Sequence, residues 1–145
     1  MINIICSGKI KESYLNELID DYKMRISKYH KINIIEIKDE NDLNKEATNI
    51  LKYIGERDYV IACAIDGNVY SSIDFARLID ETFNHYGTID FVIGSSYGLA
   101  DIVYERANMK LSFSKFTLPH GLFRGVFLEQ IYRSFKINNN ESYHK

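Results

Sequence analysis

Apolar and polar positions switch between two periods along this chain, and the switch recurs from one end to the other. Ile2–Ser7 is a short, almost unbroken apolar run that stops at Gly8. From Glu12 to Tyr29 the apolar residues Leu15, Leu18, Ile19, Tyr22 and Ile26 fall at helical spacing. Ile32–Ile37 changes to a period of two, as a strand with one covered face does. Asn41 or Asp42 is placed to cap a helix that runs to about Ile54. Tyr59–Ile65 is again continuously apolar, which predicts a strand buried on both faces. Ser71-Ser-Ile-Asp74 has the form of a capping box and opens a helix to about Tyr86, stopped by Gly87. Asp90–Ile93 predicts a fourth strand, Asp101–Ala107 a short helix, Lys110–Phe113 a fifth strand and Gly121–Lys136 the last helix.

Strands that alternate with helices predict an α/β fold, a mostly parallel sheet with helices on both faces. No repeat, linker or low-complexity stretch interrupts the pattern, so residues 1–145 are expected to form a single domain. In such sheets ligands bind beyond the carboxyl ends of the strands. Three loops are expected there: Asp66-Gly-Asn68, Gly94-Ser-Ser-Tyr-Gly98 and Ser114-Lys-Phe-Thr-Leu-Pro-His120. Gly94–Gly98 lacks both the dinucleotide spacing and the Gly-Lys-Ser/Thr of a phosphate loop. Ser112-Phe-Ser-Lys115 has the S-x-x-K form of penicillin-binding enzymes but neither the helix start nor the partner motifs. Pro119, the only proline, fixes a turn just before His120 and the last helix. His120 and Arg124 are one helical turn apart and point the same way, and Glu129 and Arg133 repeat that spacing.

A chain of 145 residues, 46% apolar and 26% charged, is globular and large enough for one core. No run approaches the ~20 apolar residues of a membrane span, and the N-terminus lacks the features of a signal peptide. Cys6 and Cys63 sit inside apolar runs, as reduced cysteines of a cytoplasmic protein do, and no ligand cluster around them predicts a metal. The net charge of −2 hides an asymmetry. From Arg106 onward there are seven Lys/Arg against two Asp/Glu, interleaved with seven aromatics. That mixture suits a polyanion with stackable bases, and it equally suits a core of phenylalanines beneath a solvated charged face. The apolar positions of the last helix spread wider than the stripe of a helix lying on a sheet. Such a helix is either central in its own domain or shared between subunits. Tyr143, His144 and Lys145 then place a phenol, an imidazole and an ammonium where a disordered end is normal. They suggest a tail that reaches into a site.

Phe91-Val-Ile-Gly94, Leu111-Ser-Phe-Ser-Lys115, Pro119-His120, Leu128-Glu-Gln-Ile-Tyr-Arg133 and the closing Tyr-His-Lys together resemble the RlmH family. These are small bacterial SPOUT-class methyltransferases of large-subunit ribosomal RNA. The likeness runs from Ile4-Ile-Cys-Ser-Gly-Lys9 to Lys145, and its specificity lies in the order and spacing of the motifs. The resemblance implies a sheet whose C-terminal part is threaded into a trefoil knot, against the usual rule that chains are unknotted. It also implies a homodimer, S-adenosyl-L-methionine bound in the knot, and methylation of N3 of a pseudouridine in ribosomal RNA. Carried onto this sequence, the cofactor is expected against Ile65, Gly94, Phe113, Ser114, Lys115, Phe116, Thr117, Leu118 and Pro119. His120, Arg124, Arg133, Tyr143, His144 and Lys145 are the expected RNA-side residues. Arg124, Glu129, Tyr143 and His144 are the catalytic candidates.

The chemistry fits those residue types. A sulfonium methyl is already activated, so alignment of nucleophile and methyl is the main task. The N3 of a uracil-type ring is protonated at neutral pH and must lose that proton. His144 is the candidate base, with Glu129 its rival. Arg124 and Lys145 suit phosphate or a developing oxyanion, and Tyr143 suits stacking on the target base. The chain departs from the common family pattern at Ser95, usually Gly, and at Gly121 and Gly125, usually larger. Two glycines inside a helix cost roughly 1 kcal/mol each relative to Ala. Those positions favour a second reading, an RNA-binding or ribosome-associated module of the same fold without turnover. A third reading is an α/β ligand-binding protein with no salt-dependent RNA affinity.

Overall fold

All six residues of β1 (Ile2–Ser7) are buried, because the strand lies inside a sheet covered on both faces. The computed structural model describes residues 1–145. It pairs β1 with β2 (Ile32–Ile37) on one side and β4 (Ile89–Ile93) on the other. β4 then pairs with β3 (Tyr59–Val69), and β3 with β5 (Met109–Ser112) at the edge. All four pairings are parallel, in the order β2-β1-β4-β3-β5. Ile2, Ile4 and Cys6, with Ile89, Phe91 and Ile93, point to a layer made by α1 (Ser13–Ser27), α3 (Ser72–Phe83) and α5 (His120–Asn138). Ile5 and Val92 point the other way, toward α2 (Leu43–Leu51) and α4 (Asp101–Arg106).

Local chemistry sets the helix ends. The Asp42 carboxylate accepts from the Asn44 amide at 2.8 Å and starts α2. Ser71 Oγ accepts from the Asp74 amide at 3.0 Å and starts α3. Only half of the expected capping box forms, because Asp74 pairs outward with Arg77. At its far end α5 closes with a Schellman turn. The Glu141 amide reaches Lys136 O at 2.9 Å, and Asn140 takes φ 55°, a conformation Asn tolerates. That turn sends the tail back along the helix.

Two expectations change. β3 does not end at Ile65: Cys63 and Asn68 both register with Leu111, so residues 64–67 bulge from a ladder that continues to Val69. Asp66-Gly-Asn68 is therefore part of an interrupted strand and not a loop after it. Gly67 is required there, since a Cβ would lie 2.7 Å from the Leu111 carbonyl carbon. Most of the breadth of apolar positions on α5 is taken up within one chain, with Leu122 left exposed. The helix lies between α1 and α3 and against the sheet, with Phe127 5.1 Å from Phe91 and Tyr132 6.0 Å from Tyr22 between ring centres. Gly121 and Gly125 permit the close approach of α1. A Cβ at either would fall 2.8 Å from a Leu15 methyl or 2.5 Å from a Leu18 methyl. Phe127, Leu128 and Ile131 are essentially fully buried, and at roughly 1.5–3 kcal/mol each they outweigh the helical cost of two glycines.

Asp90 is buried at the pole of the sheet opposite the strands' carboxyl ends. Its Oδ1 accepts from the Asn3 amide at 2.8 Å, while Oδ2 has no partner. Burial, and after it the neighbouring Asp58 carboxylate, pushes its pKa up from 3.8 to about 7. Between those values the folded carboxyl keeps a proton that the unfolded chain has released, so stability falls as pH rises from about 4 to about 7. Asp90→Asn removes that penalty. We expect a higher melting temperature at pH 8, by the equivalent of a few kcal/mol, and a flattened pH dependence of melting.

Candidate active site

The carboxyl ends of β3, β4 and β5 open onto a cleft of about 550 Å³, within the ~300–1,000 Å³ usual for small-molecule sites. The β3 bulge supplies Ile65, the end of β4 supplies Ile93 and Gly94, and the β5–α5 connection supplies Phe113, Ser114, Phe116, Thr117 and Leu118. The first turn of α5 closes the wall with His120 and Phe123. Ser95–Gly98 is a tight turn, with the Gly98 amide on Ser95 O at 2.9 Å and Gly98 at φ 82°. It folds so closely over Gly94 that a Cβ there would lie 2.5 Å from Gly98 O. Its tip presents Tyr97, 85% exposed, across the mouth from Phe116, 86% exposed. The Cys63 thiol in the same wall is pushed up to about 12 by burial, so it is a protonated apolar surface and no nucleophile.

His120 and Arg124 do share a face, as their spacing predicts, but that face turns inward onto the end of β1. His120 Nε2 is 2.9 Å from Ser7 O and 3.3 Å from Arg124 Nη2. Arg124 is 1% exposed. It donates to Glu36 Oε2 at 2.7 Å and to Gly8 O at 3.1 Å, and its Nε has no partner. The expectation that Arg124 meets RNA or the reacting atoms is therefore corrected. It is a buried bracket that joins α5 to β1 and β2.

The other candidates gather on the second half of α5 and the tail. Glu129 Oε1 accepts from Arg133 Nε at 3.0 Å, from Arg133 Nη2, and from the Tyr143 hydroxyl at 2.9 Å. Tyr143 meets Tyr132 edge-on at 5.0 Å, and the Arg133 guanidinium lies 4.9 Å from the Tyr143 ring centre. Burial, then contacts with Tyr22 and Glu129, pushes the Tyr143 phenol well above its ordinary pKa, so it is a hydrogen-bond donor. Arg133 Nη1 reaches His144 Nδ1 at 3.0 Å. Arginine only donates, so Nδ1 accepts. Lys145 is exposed. At 1.5 Å per residue Glu129 lies ~14 Å and Arg133 ~20 Å along the helix from His120. The candidates thus form two groups, one on the first turns of α5 and one from its middle onward.

Residues 1–144 match the family model described as a predicted SPOUT methyltransferase. The chain belongs to the SPOUT methyltransferase family. Along its whole length it is 47% identical to the ribosomal RNA large subunit methyltransferase H of Caldicellulosiruptor saccharolyticus, covering 100% of both chains. Its fold is also that of a probable methylase family protein from Haemophilus influenzae Rd KW20, with TM-score 0.60 and 14% identity over 99% of this chain and 70% of that one. The SpoU methyltransferase AviRb from Streptomyces viridochromogenes, solved in complex with AdoMet, superposes with TM-score 0.50 and 9% identity. That match covers 94% of this chain and 60% of AviRb.

In this SPOUT chain, seven of the nine residues expected at the cofactor line the cleft. Lys115 points to solvent and Pro119 sits at the N-cap of α5, so neither contributes wall. Ser95, Ser96, Tyr97 and Tyr104 line it and were not singled out from the sequence, although the Gly94–Gly98 loop was. The family departure at Ser95 is accommodated. Only Gly8, Gly98 and Asn140 have positive φ, so a side chain at 95 meets no backbone strain. No helix is long and apolar enough to cross a membrane, and no group of three or more His, Cys, Asp or Glu is placed to hold a metal.

Proposed function

We propose that this chain is an S-adenosylmethionine-dependent methyltransferase of large-subunit ribosomal RNA. It acts in the cytoplasm, as a knotted homodimer, on N3 of a pseudouridine. The observation that carries this reading is the end-to-end likeness to a ribosomal RNA large subunit methyltransferase, in a chain whose strand ends enclose a cofactor-sized cleft. The cleft residues fit the group. Ile65, Phe113 and Leu118 offer apolar surface for an adenine and a methionine chain, and the Gly94–Gly98 and Ser114–Thr117 backbones offer polar groups. Bound there, the cofactor supplies a methyl on a sulfonium, already activated for displacement.

The protein has to align the target base, exclude water and take the N3 proton. His144 remains the proposed base, with Glu129 as the rival. Glu129 is engaged by Arg133, Tyr143 and Gln130, which suits an anchor better than a proton acceptor. His144 Nδ1 must leave Arg133 to accept a proton, so RNA binding is expected to separate that pair. Tyr143, freed with it, can stack on the base, while Arg133 and Lys145 supply charge and donors to phosphate; His120 is engaged at Ser7 O. Arg124 has no part in this. No tail residue lines the cleft of its own chain: the cleft takes His120 and Phe123 from α5, and the tail rests on Glu129, Tyr132 and Arg133. That supports a dimer in which each cleft is completed by the partner's tail. The exposed Ile65, Tyr97 and Phe116 give that dimer an apolar rim to cover. The passage from β5 through 113–119 to an α5 bonded back onto Ser7 and Gly8 supports the threaded connection.

The test is methyl transfer. Ribosomes lacking the modification are incubated with the protein and labelled cofactor, and the methylated nucleotide is mapped. Label on N3 of one pseudouridine is the expected result, and cofactor binding without transfer would leave a module without turnover. Gly94→Ala tests the cleft separately. Its Cβ faces backbone that cannot swing aside, so calorimetry should show cofactor affinity reduced at least ~10-fold.

A further inference from the structure

Gln130 stands where α3, α5 and the tail meet. Neighbouring residues on a helix do not normally face one another, yet the Gln130 side chain folds back so that its Nε2 donates to Glu129 Oε2 at 2.9 Å. Its other end accepts from Ser72 Oγ at 2.7 Å. A carboxylate only accepts, so the amide can be oriented one way, with oxygen toward Ser72. Ser72 itself is the first residue of α3, fixed by the Ser71 cap. The two oxygens of Glu129 are thereby divided. Oε2 is pinned to α3 through Gln130, while Oε1 receives Arg133 and Tyr143.

We propose that Gln130, oriented by Ser72, is a positioning residue that fixes the Glu129 carboxylate and through it the pose of Tyr143, Arg133 and His144. The proposal rests on the reading that the tail serves methyl transfer. It adds a route by which a helix outside the cleft sets the tail's geometry. Gln130 is not needed to dock α5 on α3. Phe127 packs on Phe75 at 6.0 Å, and Asn138 donates to Ala76 O at 3.0 Å.

Gln130→Met keeps the side chain's length and removes both hydrogen bonds. With cofactor and ribosomes saturating, kcat should fall roughly tenfold, while the cofactor Kd and the melting temperature stay close to wild type. Ser72→Ala should follow Gln130→Met, and Ser72→Thr, which keeps the hydroxyl, should recover most of the loss. Adding Tyr143→Phe to Gln130→Met should cost less than its effect in the wild-type background, because both act through Glu129. The Tyr143 ring resonances, measured without RNA, report its packing on Tyr132 and under Arg133 and should move toward those of a free tyrosine in Gln130→Met. Wild-type-like kcat and unmoved Tyr143 resonances in Gln130→Met would overturn the proposal. Moved Tyr143 resonances in a protein whose wild type transfers no methyl would instead overturn the methyltransferase reading and leave the positioning role standing.

Discussion

Ending the chain at Ser142 lowers methyl transfer by at least ~10²-fold, the usual contribution of a positioned acid–base group, while cofactor binding stays at the wild-type level. The expectation follows from where Tyr143–Lys145 lie. They fold back along α5 from the Asn140 turn and rest on its second half, through Glu129, Arg133 and Tyr132, with Tyr22 of α1 beside Tyr143. None of them lines the cofactor cleft. Removing them costs a hydrogen bond to a carboxylate, the exposed Arg133–His144 hydrogen bond, a cation–π contact and one edge-on aromatic contact, on the order of 3–5 kcal/mol together. Calorimetry with S-adenosylmethionine and a ribosome methylation assay on the same preparation read the two effects apart. Full transfer by the truncated chain would remove the tail from the mechanism.

Arg124→Ala has the opposite signature, a loss of stability that needs no RNA to reveal it. Breaking a buried pair costs roughly 3–5 kcal/mol, a large share of the ~5–15 kcal/mol that holds a domain folded. The loss here includes an unsatisfied Gly8 carbonyl and the cavity left by a side chain that is 1% exposed. Glu36 is half-exposed, so water can replace part of its role. Glu36→Gln is therefore expected to lower the melting temperature less than Arg124→Ala. Arg124→Met, which keeps most of the volume, should fall between them. Unchanged melting in Arg124→Ala, with RNA affinity reduced, would restore the RNA contact that the family resemblance implies.

Periodicity made the α/β alternation legible. Ile2–Ser7 read as an apolar strand and is buried throughout. Tyr59–Ile65 read as a strand buried on both faces and is so only over Val60–Ala62, with Ile65 exposed in the bulge. Asp42 and Ser71 cap helices as their chemistry dictates. The continuation of β3 past Ile65 was not legible, since Asp66-Gly-Asn68 has turn chemistry and only its pairing with β5 shows it to be a bulge. Equal spacing on α5 meant opposite things at its two ends. Glu129 and Arg133 pair at the half-buried surface, while His120 and Arg124 turn into the end of β1. No local signal tells those cases apart, because the direction of a helix face is fixed by what α1 and α3 leave open. The role of Gln130 was hidden for the same reason, as it depends on Ser72 from a helix 58 positions earlier.

The central claim is that cleft and tail are halves of one site contributed by different chains. Mixing two inactive variants tests it most directly: Gly94→Ala, which spoils the cleft, and the chain ended at Ser142, which lacks the tail. In a mixed dimer one cleft is intact and faces an intact tail, so random exchange of equal amounts should restore about a quarter of the wild-type methylation rate. A mixture as inactive as its two components, under conditions where subunit exchange is demonstrated, would contradict the account and place the whole site within a single chain.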